Sequence, residues 1–265
     1  AMLSYQHAYH AGNAADLHKH AVLAGLLARL TGKARGITYG ETHAGRGLYD
    51  LGAAEALKTG EAAEGVGRVA PDPATPYGRA LAAVRAARGP DAYPGSPAIA
   101  RALLRPQDSL TLMELHPAEH AALRAALAGE GVAIHRRDGF EGLLALAPLR
   151  PRRGLVLVDP SYEVKDDYAA AAAFVRRLMA KWPLASVLVW YPILPAARHR
   201  TLVAGLAALP ALRDEVAFLR PPARGMTGSG LILVNPPHGA EADVAAAHAL
   251  GAAVFRRVAP GEASV

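Results

Sequence analysis

The stretch Leu155-Val156-Leu157-Val158-Asp159-Pro160-Ser161-Tyr162 decides the fold. Four branched apolar residues in a row suit a strand buried on both faces, the kind found in parallel sheets. Ligands of open α/β sheets gather just beyond the carboxyl ends of such strands. An acid, a turn and an aromatic ring therefore stand where chemistry is expected. The arrangement suits a planar base: the carboxylate and the proline carbonyl can accept hydrogen bonds from an exocyclic amine while Tyr162 stacks on the ring. A surface turn with a helix-capping aspartate fits the same four residues.

Working outward, apolar runs and turn signals place further strands at 37–41, 110–114, 132–135 and 187–191. From the second onward, one helix-sized interval separates each from the next, as at 119–128 and 140–147, which is the βαβ rhythm of a parallel sheet. The first interval is different. Between 41 and 110 lies far more chain than one crossover requires, including Pro71-Asp72-Pro73-Ala74-Thr75-Pro76 and Tyr93-Pro94-Gly95-Ser96-Pro97. Residues 50–98 read as an inserted, mostly helical subdomain, with 1–49 and 99–265 forming the main domain. Near the carboxyl end, 216–219 and 231–234 flank a Gly-rich loop and suggest an antiparallel pair closing the sheet edge. At the other end, Asp16 can cap a helix over 17–30, with Leu23, Leu26, Leu27 and Leu30 on one stripe and Gly32 just past its end. Residues 1–32 thus form an amino-terminal lid and helix, and 259–265 a frayed tail.

The chain has 265 residues, 52% of them apolar, enough for one large α/β domain carrying an insertion. Its longest purely apolar stretches fall well short of a bilayer span, and no charged-then-apolar leader is seen. A soluble, cytoplasmic protein is the expectation. With no cysteine, disulfides and thiolate metal sites are excluded. The net charge of +6 and pI near 9.7, carried mostly by arginine, favour a polyanionic partner. A GC-rich genome would use arginine as freely without any such partner.

Several strand ends carry chemistry. After the first strand comes Glu41-Thr42-His43-Ala44-Gly45-Arg46-Gly47, whose glycines let backbone approach a nucleotide-like ligand. No third glycine completes a dinucleotide fingerprint, and no phosphate loop follows. Glu114 ends the second strand, placed to accept from ribose hydroxyls. The third leads to Asp138-Gly139, where the acid could accept from an adenine amine. Each acid alone is as readily a helix cap. In order on four successive strands, they would all touch a nucleoside cofactor lying across the strand ends. The amino terminus adds Tyr5, His7, His10, His18 and His20. No carboxylate stands at a metal-ligand spacing among them, so they read as a cationic, aromatic lid over a nucleic-acid base, with no metal.

These residues together resemble the RlmJ family of bacterial 23S rRNA adenine-N6 methyltransferases. The resemblance spans nearly the whole chain: Leu3-Ser4-Tyr5, His10-Ala11-Gly12-Asn13, Asp16, Lys19-His20, Thr42-His43-Ala44-Gly45, Pro94-Gly95-Ser96-Pro97, Glu114-Leu115-His116-Pro117, Asp138-Gly139-Phe140, Asp159-Pro160, Tyr162-Glu163, Trp190-Tyr191-Pro192 and Arg224-Gly225-Met226-Thr227. It implies a Rossmann-like, seven-stranded class I methyltransferase sheet with a helical insertion after the first strand. It also implies S-adenosylmethionine held by Lys19, His20, His43, Gly45, Ser96, Glu114, Asp138 and Gly139, and catalysis by Asp159, Pro160 and Tyr162. Tyr5, His7 and Tyr162 would cover the target base, adenine 2030 in the family. The partner implied is 23S rRNA, met by a monomer with neither membrane nor metal. Ser161 departs from the family, which has a second proline there. A DNA adenine-N6 methyltransferase would share the Asp-Pro-x-Tyr loop, and a non-catalytic RNA-binding module is the reading from another class.

Overall fold

The computed structural model describes residues 7–258. After a 3₁₀ turn at His7–Tyr9 the chain runs through α1 (Ala14–Thr31), β1 (Thr38–Glu41), β2 (Leu48–Asp50), α2 (Ala54–Thr59), α3 (Glu61–Glu64), α4 (Pro76–Arg88), β3 (Ala92–Pro94) and α5 (Ser96–Leu103). It continues through β4 (Ser109–Met113), α6 (Pro117–Leu127), β5 (Val132–His135), α7 (Gly139–Leu146), β6 (Gly154–Val158), α8 (Asp167–Lys181) and β7 (Ala185–Ile193). The last elements are α9 (His199–Leu206), β8 (Ala211–Phe218), β9 (Gly228–Val234), α10 (Ala240–Gly251) and β10 (Phe255–Arg257).

The main sheet has the order β10-β8-β9-β7-β6-β1-β4-β5. The five strands from β5 to β7 are parallel, and β9, β8 and β10 join antiparallel. The β8–β9 pair is the edge closure expected from the sequence. Among the described residues the sheet has eight strands instead of seven because the chain turns back after α10 and buries Phe255, which pairs with Phe218. A three-residue strand is too short to register as an apolar run. A separate two-stranded ladder joins β2 to β3, and α4 and α5 pack on α1.

Every residue of β6 and β7 is buried, as the unbroken apolar runs require. Each fully buried Leu or Val contributes about 1.5–3 kcal/mol of hydrophobic stabilisation. Register then positions the site. Glu41, the last residue of β1, lies beside Leu112 on β4 and Leu157 on β6, so all three strands end at one edge.

Helix α1 starts earlier than the sequence suggests. Asn13 is its N-cap and accepts a hydrogen bond from the Asp16 N–H at 2.8 Å, while Asp16 Oδ2 accepts from the Gly12 N–H at 2.9 Å. Asn13 caps as well as aspartate does, and its use places Asp16 in the first turn, reaching back as in a capping box. Among the described residues no helix is long and apolar enough to cross a membrane.

Candidate active site

The carboxyl ends of β1, β4, β5 and β6 open on a cavity of about 410 Å³. Its walls include Lys19 and His20 from α1, His43 and Gly45 after β1, Ser96 at the start of α5, Glu114 after β4, Asp138 and Gly139 after β5, and Asp159 and Pro160 after β6. His7 lines the same cavity. The residues expected at successive strand ends are therefore brought together. Tyr5 lies outside the described residues.

Glycines let the loops come this close. Gly45 has φ +64°, and an added Cβ would lie 2.8 Å from the Tyr49 hydroxyl. At Gly139 a Cβ would fall 1.8 Å from the Thr42 carbonyl, so the start of α7 touches the loop after β1 directly. The Glu114 carboxylate accepts from the Gly45 N–H at 2.8 Å and the His116 N–H at 2.7 Å, while burial raises its pKa. Asp138 caps α7, accepting from the Glu141 N–H at 2.9 Å, and faces the cavity as well. Two apolar residues beside these acids were not singled out from the sequence. Leu115 is 50% exposed on the cavity wall, and Phe140 stacks on Phe174 and makes a T-shaped contact with His43. Their position directly after an acid or its glycine is the signal that could have found them.

At the β6 end the geometry differs from expectation in two respects. Lys19 Nζ lies 2.5 Å from Asp159 Oδ2, 3.3 Å from Asp16 Oδ1 and 5.2 Å from the centre of the Trp190 ring. Although burial opposes it, the two carboxylates raise the Lys19 pKa. The ammonium thus holds Asp159 and also lines the cavity, where the sequence suggested a cofactor contact. Despite its burial, Asp16 is held well below the usual carboxylate range by His7 and Lys19, and His7 Nε2 lies 2.8 Å from its Oδ2.

The second difference is Tyr162, expected to stack on a base. Its φ of +55° turns the ring inward, where it is 5% exposed, stacks on Tyr168 at 4.5 Å and donates its O–H to the Trp190 carbonyl at 2.6 Å. In this position the ring does not line the cavity. Among the described residues the aromatic rings on the cavity are His7, His20, His43, Tyr49, His116, Phe140 and Trp190.

The histidine lid also divides. His7 is on the cavity, His10 pairs with Glu61 at 3.0 Å, and His18 lies buried on Asp214. His20 is buried, bonded to the Tyr93 hydroxyl at 2.9 Å, and burial pushes its pKa down to about 3. It is neutral at neutral pH and does not supply a cationic cover.

Glu41 stands behind this wall, fully buried next to Ser96. The Tyr39 hydroxyl donates to its Oε1. Burial pushes the Glu41 carboxyl up to about 8, against the pull of Tyr39, Ser96 and Lys19. The acid therefore keeps its proton at neutral pH and stands uncharged behind the wall.

Residues 34–261 match the family described as Ribosomal RNA large subunit methyltransferase D, RlmJ. The chain is similar to Ribosomal RNA large subunit methyltransferase J of Escherichia coli (strain K12), 39% identical over 246 residues that cover 89% of this chain and 88% of that protein. It is 38% identical to the protein of the same name from Haemophilus influenzae, over 89% and 88% of the two chains. Among solved structures it resembles protein LPL1258 from Legionella pneumophila, with a TM-score of 0.83, 31% identity, and coverage of 96% and 99%.

Proposed function

The chain belongs to the RlmJ family of ribosomal RNA large subunit methyltransferases, and from that premise we propose that it methylates adenine N6 in 23S rRNA, at adenine 2030, using S-adenosylmethionine. The observation that carries the reading is the Asp159-Pro160 corner on the cavity, with Lys19 fixing Asp159 Oδ2 and leaving Oδ1 for an incoming N–H.

S-adenosylmethionine supplies a methyl group already activated by its sulfonium. The residues present fit it. Glu114 would take the ribose hydroxyls, since each carboxylate oxygen accepts more than the one backbone N–H it now holds. Asp138 would take the adenine amine, with Leu115 and Phe140 against its ring. Ser96, on the cavity wall, would meet the amino-acid end.

The protein's task is then to hold the target nitrogen and make it a better nucleophile. The lone pair of an exocyclic amine is delocalised into its ring. N–H groups donated to Asp159 Oδ1 and to the Pro160 carbonyl favour a pyramidal nitrogen and stabilise the positive charge that develops on attack. The proton becomes acidic only as the new bond forms, and Asp159 would receive it. Lys19 acts as a positioning residue for that carboxylate. Tyr162 acts from below, bracing the Trp190 backbone.

The test is methyl incorporation from labelled S-adenosylmethionine into unmodified 23S rRNA and into duplex DNA, followed by mass mapping. Methylation of rRNA at one adenine is expected. Transfer to DNA alone, or none to either, would overturn the assignment.

A further inference from the structure

Far along the chain from the strand-end loops, three side chains meet at one point. His18 Nε2 lies 2.9 Å from Asp214 Oδ2, and His248 Nε2 lies 2.8 Å from the same oxygen. One nitrogen or oxygen from each residue falls within 4.8 Å of the others. They come from α1, β8 and α10, so only the folded chain brings them together. Asp214 is the carboxylate that the amino-terminal histidines lack in sequence.

We propose that His18, Asp214 and His248 form a binding site for one divalent transition-metal ion, Zn²⁺ being the ion that best suits the set. Two imidazoles and one carboxylate are a borderline-soft donor set, and zinc sites of this type keep a fourth position for water. Ligand atoms about 2.0–2.2 Å from a tetrahedral zinc stand roughly 3.3 Å apart. The two short edges seen here need open by only a few tenths of an ångström.

The surroundings support the site. His18 Nδ1 is 2.9 Å from the Ser229 hydroxyl, which also accepts from the Trp190 indole N–H at 2.9 Å. That partner fixes the ring and points Nε2 at Asp214, the role outer-shell hydrogen bonds play around metal-bound histidine. His18 and Asp214 are sealed from solvent, whereas His248 is 17% exposed and borders a surface cavity with Glu241, giving a way in and room for water. Two arginines stand close by. Arg213 is tied to Glu215 and Tyr191. Arg257 Nε is 3.5 Å from Asp214 Oδ1, but its side chain is 67% exposed at the end of an edge strand and can swing away.

The competing account is a carboxylate that accepts one hydrogen bond from each imidazole and binds nothing. The two are separated by stripping the purified full chain with chelator and titrating with Zn²⁺, then Co²⁺. One equivalent of zinc is expected, a visible tetrahedral cobalt spectrum, and a rise in Tm of about 5–10 °C at a hundredfold excess over Kd. His248→Ala, at a part-exposed position, should stay folded by circular dichroism and lose all three signals. Uptake below a tenth of an equivalent by the wild-type chain overturns the site. So does a folded His248→Ala, or a folded Asp214→Asn, that keeps the full uptake and Tm shift.

Discussion

Lys19 Nζ is 2.5 Å from Asp159 Oδ2 and 3.3 Å from Asp16 Oδ1, so one buried ammonium is shared by two carboxylates. Lys19→Met removes it without removing much volume. Methyl transfer should fall roughly 100-fold or more, since a misplaced carboxylate loses its hold on the developing charge. S-adenosylmethionine affinity, measured by calorimetry, should change only a few-fold. Affinity falling in parallel with rate would make Lys19 a cofactor ligand after all. Leaving Asp159 unpaired, with Asp16 keeping His7 and the Gly12 N–H, should also cost about 3–5 kcal/mol of stability.

Asp159→Ala is expected to abolish transfer while the protein still binds S-adenosylmethionine nearly as tightly. Retained turnover would sink the proposed role.

Tyr162→Phe keeps the ring and loses the hydrogen bond to the Trp190 carbonyl. About 1 kcal/mol of stability should go with it, whereas Tyr162→Ala should cost about 3–5 kcal/mol. Urea denaturation measures both. Had Tyr162 covered the base instead, Tyr162→Phe would leave stability unchanged.

Glu41 gives a pH dependence whose sign can be worked out. Its carboxyl titrates at about 8 in the folded protein against an ordinary 4.5, so between those values the folded state keeps a proton that the unfolded chain releases. Stability should therefore fall as pH rises through that window and level off above it. Glu41→Gln mimics the protonated form and should flatten the fall, so that near pH 9 the variant is the more stable protein. An unchanged pH profile of Tm would contradict this.

Gly139→Ala should be among the most damaging single-methyl additions, because backbone stands in the way. Either α7 shifts off the Thr42 loop or the chain fails to fold; the prediction is a Tm loss of several degrees with weakened cofactor binding. Wild-type Tm would show the contact to be slack.

The five parallel strands were legible because each is a short apolar run ended by an acid or a turn, and Leu155-Val156-Leu157-Val158 is the clearest of them. That Glu114, Asp138 and Asp159 would share one cavity was legible for the same reason, since a strand's carboxyl end is a fixed place in the fold. What could not be read was direction. Nothing local says that Tyr162 takes a positive φ and turns inward, or that Lys19 leans toward Asp159. Asn13 and Asp16 are both good caps, and only the backbone decides between them. Pairings such as His18 with Asp214, 196 residues apart, leave no trace in spacing.

Three consecutive residues of α1 have partners in three parts of the chain: His18 on Asp214, Lys19 on Asp159 and His20 on Tyr93. Helix α1 thus cannot finish docking until β8 and β9, about 200 residues later in the chain, have been made. His18 must wait for Ser229, 211 residues downstream. Until then α1 has no complete berth and the site has no ammonium. Activity should switch on late in synthesis and all at once, and fragments truncated before β9 should be inert even where the strand-end loops have already formed.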